Sequence, residues 1–340
     1  METSSTSSGS AFSPLKLLRA VFIRVGVLPF FLATALVIFS LMSQAFLTTN
    51  NLINVGRQSV YLVLVSMGQM LVLISGGFDL SVGMVIALSS VVTAMTMVAL
   101  MPMFPEAVWM VILIGALAGF LVAAMVGALN GIGVAIFGVS PFIMTLGVAS
   151  AGAGLALFLT GGVPVSNLPT VFGDTFGFGR ILNTPVPVII AAIVAVLMWV
   201  YMSRMRPGAQ IYAVGGNLKA ANLSGIDTRR TLIRVYVMCA LMAGLTGILL
   251  TARVETGDAN MGSSMALESI AACVIAGVSL RGGIGRVENV VLGGIFIILV
   301  QNGMNLAQIS SYMQMVLLGL LLILAVIFDQ IRYRMIMGQR

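Results

Sequence analysis

Long uncharged stretches alternate with short polar joints along nearly the whole chain. Residues 58–75 form one such stretch and 83–101 another; ISGGFDLSVG (74–83), which joins them, holds the only charge between Arg57 and Glu106. A helix needs roughly 20 apolar residues to span a bilayer core. The runs at 27–47, 58–75, 83–101, 108–136, 141–160, 184–203, 233–251, 265–280, 289–305 and 313–328 meet or approach that length. They predict an all-α fold, a polytopic transmembrane helical bundle of about ten spans. The fourth run is long for one crossing and is expected to break near Asn130–Gly131. The eighth and tenth are short, and the eighth contains Glu268, so either is expected to be re-entrant or partly unwound.

Composition agrees with the pattern. Of 340 residues, 59% are hydrophobic and 8% charged, far below the quarter or so of charged residues that a soluble domain shows to water. The first 26 residues are Ser/Thr-rich and then basic, and the run after them is longer than the ~7–15 residues of a signal-peptide core. An uncleaved first span follows. The chain then divides into a tail at 1–26, a membrane domain at 27–331 and a second tail at 332–340.

Charge placement orients the bundle. With the N-terminus in the cytosol, only Arg57, Arg180 and Arg253 of the 17 basic residues fall outside, which is the bias that the positive-inside rule requires. Both termini are then cytosolic. The same bias explains the formal charge of +7 without a nucleic-acid partner. The longest inside loop is 204–230. The longest outside connection, 161–183, is rich in Gly and Pro and is expected to act as an external gate or docking surface.

Two stretches, LNGIGVAIFGVSPF (129–142) and QNGMNLAQISSYMQ (301–314), each place Asn-Gly at the end of a span, followed by Ser and an aromatic residue. Their offset maps spans two to five onto spans seven to ten. The odd separation makes the two sets inverted repeats, an architecture known in transporters.

Several chemistries lack their residues. The chain has no histidine, so zinc-hydrolase and serine-triad chemistry has no base. No phosphate-binding loop occurs, and neither Lys16 nor Lys219 has its context. RGGIGRVE (281–288) is rejected as a dinucleotide fingerprint, because Glu288 occupies its last glycine position and no strand precedes it. No D-x-x-x-D or D-D pair is present to hold a metal-bound pyrophosphate, as a lipid-linked transferase would require. Cys239 and Cys273 fall in apolar runs and read as small packing residues. No metal or cofactor is expected on this chain.

The inside loop carries its own punctuation. In AVGGNLKAANLSGI (213–226), Gly215 and Gly216 end what precedes them, Asn217 is placed to cap a short helix over 218–223, and Gly225 can stop it in a left-handed conformation. Such a loop reads as a docking knob.

At these residues the sequence resembles the membrane subunits of ATP-binding-cassette sugar importers, of the ribose/arabinose/galactose type. GGFDLSVG, ALNGIGVAIFGVSPFIMTLG, AVGGNLKAANLSGI, AGVSLRGGIGRVENVVLGG and QNGMNLAQISSYMQMVLLGLLLILAV match that family's pattern in order. The resemblance implies a permease, not itself an enzyme, that translocates a monosaccharide or similar polyol across the bacterial inner membrane. Two permease subunits, identical or paralogous, would pair with cytosolic ATPase subunits that hold ATP and Mg, and with a periplasmic sugar-binding protein. It also implies that Gly216, Asn217, Leu218, Lys219, Ala220, Ala221, Asn222, Leu223, Ser224, Gly225 and Ile226 form the coupling helix seated on the ATPase. The family includes branched-chain amino-acid permeases; the GGFDLSVG form favours the sugar branch. An ion-coupled secondary transporter working through Asp79 or Glu268 is the other alternative.

Two groups of site residues follow. Asp79, with Gly76, Gly77 and Ser81, is expected to be a structural pivot: its carboxylate accepts hydrogen bonds from the free N–H groups that start span three, and Ser81 offers a second cap. Gln69, Asn130, Phe142, Thr145, Glu268, Gln301 and Asn302 are the candidate translocation path, since an uncharged sugar needs weak, dispersed hydrogen bonding. Interhelical hydrogen bonding is the competing role for each polar member.

Overall fold

A computed structural model describes residues 28–337; the expected tail at 1–26 lies outside the described residues. The helices are α1 (Leu28–Met42), α2 (Thr49–Ile74), α3 (Val82–Leu100), α4 (Val108–Ala135), α5 (Pro141–Thr160), α6 (Val186–Arg204), α7 (Arg206–Gly216), α8 (Leu218–Leu223), α9 (Thr228–Val254), α10 (Met265–Ile275), α11 (Val287–Leu306) and α12 (Ser311–Met337).

Seven of these, α2 to α6, α9 and α11, are long and apolar enough to cross a membrane, and the fold is an all-α polytopic bundle. Leu28–Met42, Met265–Ile275 and the Ser311–Ile327 part of α12 are shorter apolar helices. At 1.5 Å per residue, α10 is only about 16 Å long, half of a hydrocarbon core. The eighth run was expected to extend to residue 280, but its helix stops at Ile275 and the chain turns through Gly277, whose φ is +82°. α12 runs past the expected end of its span at 328.

Three boundaries differ for local reasons. α2 begins at Thr49, well before the expected 58, because the Thr48 hydroxyl caps it by accepting the Asn51 N–H. The inside loop contains a second helix, α7, held to the bundle by buried Ile211 and Val214. α4 does not break at Asn130–Gly131 but is continuous to Ala135. A β-carbon on Gly131 would lie 2.8 Å from the Ile233 Cα, and one on Gly127 would lie 2.7 Å from the Val237 Cα. These glycines are where α4 and α9 touch backbone to backbone. Lipid offers no hydrophobic drive for helix pairing, so close approach through small residues supplies the contact instead.

α9 is central, packed against α2, α3 and α4. α2 is its most enclosed neighbour: every residue from Ser59 to Ile74 is buried. One buried cluster is built from α2, α3 and α9, and a second joins α1, α10 and α11. The 161–183 connection is ordered by a helical turn (Thr170–Phe172), a π turn (Gly173–Gly177) and a two-residue hairpin, Arg180–Ile181 with Thr184–Pro185. Buried Phe172 and the Val165–Gly257 bridge pin it to that end of the bundle.

Candidate functional site

The turn between α2 and α3 is closed over a buried polar knot. Asp79 is fully buried, and its Oδ1 accepts the Ser81 N–H at 2.8 Å and the Ser81 hydroxyl at 2.6 Å. The same hydroxyl accepts from Asn130 Nδ2 on α4 at 2.8 Å. One residue along, the Leu80 N–H donates to the Thr145 hydroxyl on α5 at 3.1 Å. Gly76 takes φ +86°, and a β-carbon on Gly77 would lie 2.6 Å from the Tyr236 hydroxyl. Tyr236 itself donates to the Phe78 carbonyl at 3.4 Å. Three helices, α3, α4 and α5, are thus held at one turn by side chains that all meet next to Asp79.

The capping expectation needs correction. Asp79 takes the N–H of Ser81, the residue before α3, and none from the helix's first turn. Ser81 makes no cap hydrogen bond, because its backbone is already helical (φ −82°, ψ −9°). A side-chain cap favours an extended backbone at that position, and here the hydroxyl turns back to Asp79. Asn130 and Thr145, expected along the path, meet the Asp79 turn instead: both are fully buried and hydrogen-bonded into this knot.

The remaining path candidates lie in separate places. Glu268 accepts from Gln301 Nε2 at 3.3 Å between α10 and α11. Asn302 exchanges two amide hydrogen bonds with Asn51, at 2.8 and 2.9 Å, tying α11 to α2. Phe142 is 53% exposed on α5, unlike the buried polar candidates. Gln69 is fully buried, and neither atom of its amide finds a protein partner among the described residues. Ser66, one turn earlier on the same face of α2, is also buried with a free hydroxyl. The i, i+3 spacing of two polar residues in an apolar run was the signal for Ser66; Asn51 and Tyr236 gave no such signal. Cys239 and Cys273 are buried and unpaired: the first lies beside Asp79, and the second donates to the Ser66 carbonyl at 3.2 Å.

At the end of the bundle that carries Ile74, the 216–226 segment folds as a self-contained helix. Asn217 Oδ1 accepts the Ala220 N–H at 2.9 Å. At the other end Gly225 has φ +81°, its N–H reaches the Asn222 carbonyl, and the Ile226 N–H reaches that of Ala221. This pair of bonds is a Schellman stop. Lys219, Ala220, Asn222 and Ser224 are exposed, as are Leu218 (50%) and Leu223 (89%). Ala221 is turned inward and buried at 4%, so the two alanines do not share a docking face. Gly216 has open space around it.

Comparison with known proteins identifies the lineage. The family described as branched-chain amino acid transport system / permease component matches residues 51–326. The D-allose transport system permease protein of Escherichia coli K12 is 38% identical over 89% of this chain and 90% of its own. The ribose import permease protein of Bacillus subtilis 168 is 36% identical over 86% and 89%. The galactose/methyl galactoside import permease protein of Haemophilus influenzae is 33% identical over 85% and 88%. No solved structure matches the chain. With a family match across most of its length and relatives aligned nearly end to end, this chain belongs to the family of transport-system permease components that includes the sugar-import permeases.

Proposed function

We propose that this chain is the membrane subunit of an ATP-binding-cassette importer that carries a monosaccharide or similar polyol across the bacterial inner membrane. A separate cytosolic subunit holds ATP and Mg and hydrolyses the nucleotide. A periplasmic sugar-binding protein delivers the substrate, and two permease subunits pair around the path. Both termini are cytosolic. α1, α10 and α12 add to the seven long helices to make ten spans, the half-length α10 crossing together with its non-helical flanks at 255–264 and 276–280, with spans two to five and seven to ten as inverted repeats.

The observation that carries this reading is α8: a six-residue helix, capped at both ends by its own residues, that presents Leu218 and Leu223 outside the bundle. A capped helix that holds its own shape and carries two exposed leucines has what a docking knob needs, a fixed form and an apolar surface, and its place in the longest inside loop puts it where a cytosolic subunit would meet it. The relatives named for allose, ribose and galactose favour a sugar over a branched-chain amino acid. An ion-coupled mechanism is disfavoured by where its carboxylates are engaged: Asp79 within its own turn, Glu268 with an amide.

Leu223→Glu tests the reading. Copurification of the ATPase and uptake of labelled D-allose, D-ribose and D-galactose are measured in membranes with matched permease levels. Association and uptake should both fall at least tenfold, consistent with a lost anchor of about 1.4 kcal/mol or more. Ala220→Arg should behave in the same way, whereas Ala221→Arg should lower the amount of folded protein. Wild-type uptake by Leu223→Glu, or uptake without the ATPase, rules the importer out.

A further inference from the structure

The glycines of RGGIGRVE, a stretch rejected above as a dinucleotide fingerprint, meet the root of α8. α2 ends at Ile74, and its carbonyl, an acceptor left open at every helix C-terminus, is taken by the Gly283 N–H at 2.8 Å. That carbonyl also abuts Gly215 so closely that a β-carbon there would overlap the oxygen. A β-carbon on Gly282 (φ +89°) would lie 2.6 Å from the Gly215 carbonyl oxygen, and one on Gly283 (φ +73°) would lie 3.1 Å from the Gly216 Cα. Beside this crossing the Tyr212 hydroxyl donates to the Gly285 carbonyl at 2.9 Å. Three segments therefore meet backbone to backbone. They are the last turn of α7, which leads directly into α8; the 279–286 loop; and the end of α2, which leads directly into the Asp79 turn.

Side chains between two elements absorb small displacements by changing rotamer, whereas close-packed backbone has no such freedom. We propose that Gly215, Gly282 and Gly283 form a rigid joint that passes movement of α8 to the 75–81 turn, and so to Asn130 on α4 and Thr145 on α5. These glycines are positioning residues for transport: they act through Ile74 and touch no substrate. The proposal rests on the reading of α8 as the ATPase-docking helix. A chain of contacts is not in itself coupling; coupling has to be measured as a change at one end caused by an event at the other.

The measurement is hydrogen exchange by mass spectrometry on the assembled transporter, this chain with its ATPase, with and without Mg and a non-hydrolysable ATP analogue. In the wild type, amides of 217–226 should gain protection from the ATPase, and those of 75–81 should change their exchange when nucleotide binds. Gly283→Ala should keep the protection at 217–226 and reduce the nucleotide response at 75–81 roughly twofold or more. Gly154→Ala, on α5 with nothing within 4 Å of the added methyl, should respond as the wild type does. Tyr212→Phe removes one hydroxyl and no packing volume, which guards against a folding failure of the glycine variant; it should weaken the response in the same direction. A wild-type 75–81 turn that ignores nucleotide, or a full response in both Gly283→Ala and Tyr212→Phe, overturns the joint. Absence of protection at 217–226 in the wild type overturns the docking reading instead.

Discussion

Asp79 offers the sharpest test of how the α2–α3 turn is held. Its Oδ1 collects two donors, the Ser81 N–H and the Ser81 hydroxyl, while Oδ2 is buried with no partner at hydrogen-bond geometry among the described residues, although the Cys239 thiol lies beside the carboxyl. Asp79→Leu removes the acceptor. The Ser81 N–H is then buried and unpaired, at about 1–3 kcal/mol, and the hydroxyl must find another acceptor, at about 1 kcal/mol more. A total of about 2–4 kcal/mol follows for leucine. Asp79→Asn keeps Oδ1 and replaces an unpartnered oxygen with an unpartnered amide nitrogen, so its cost should stay within about 1 kcal/mol.

The assay is the apparent thermal midpoint of the detergent-solubilised protein, followed as the monodisperse fraction after heating at a fixed rate, since unfolding of this kind is a rate measurement. Leucine should lower the midpoint clearly and asparagine barely. Ser81→Ala combined with Asp79→Leu should cost less than the two losses added together, because both delete the bond from the Ser81 hydroxyl to Asp79 Oδ1. If asparagine is as damaging as leucine, or the double variant is additive, the knot is not what holds the turn.

Two further outcomes are expected. Asn302→Ala should destabilise the protein in the same assay by about 0.6 kcal/mol; Asn51→Ala should cost more, because Asn51 Nδ2 also donates to the Phe46 carbonyl, and the double variant should be no worse than Asn51→Ala, since both substitutions remove the amide pair across α2 and α11; additive losses would show separate roles. Cysteines placed at exposed Arg281 and Asp174 should differ towards a membrane-impermeant reagent on intact spheroplasts, with labelling at 174 and none at 281; the reverse pattern refutes the orientation.

What could be read from the sequence depended on how far each interaction reaches. The ends of α8 were legible because a cap is written within a few residues: Asn217 reaches the Ala220 N–H, and Gly225 supplies a positive φ that other residues avoid. Most span centres were legible because a bilayer demands apolar length. Facing was not legible. Lipid and protein interior are both apolar, so a helix such as α5 carries almost no difference between its sides, and only packing shows that Phe142 is exposed while Thr145 is buried. The same limit hid the knot: Asn130 looked like a break in α4 or a path residue until α3 and α4 were brought together and its amide met Ser81, 49 positions away. The contact of Gly283 with Ile74 likewise joins residues far apart in the chain. Local hydrogen bonds and span length are properties of the sequence itself, whereas the partner of a buried polar group or a backbone glycine exists only once the helices have packed.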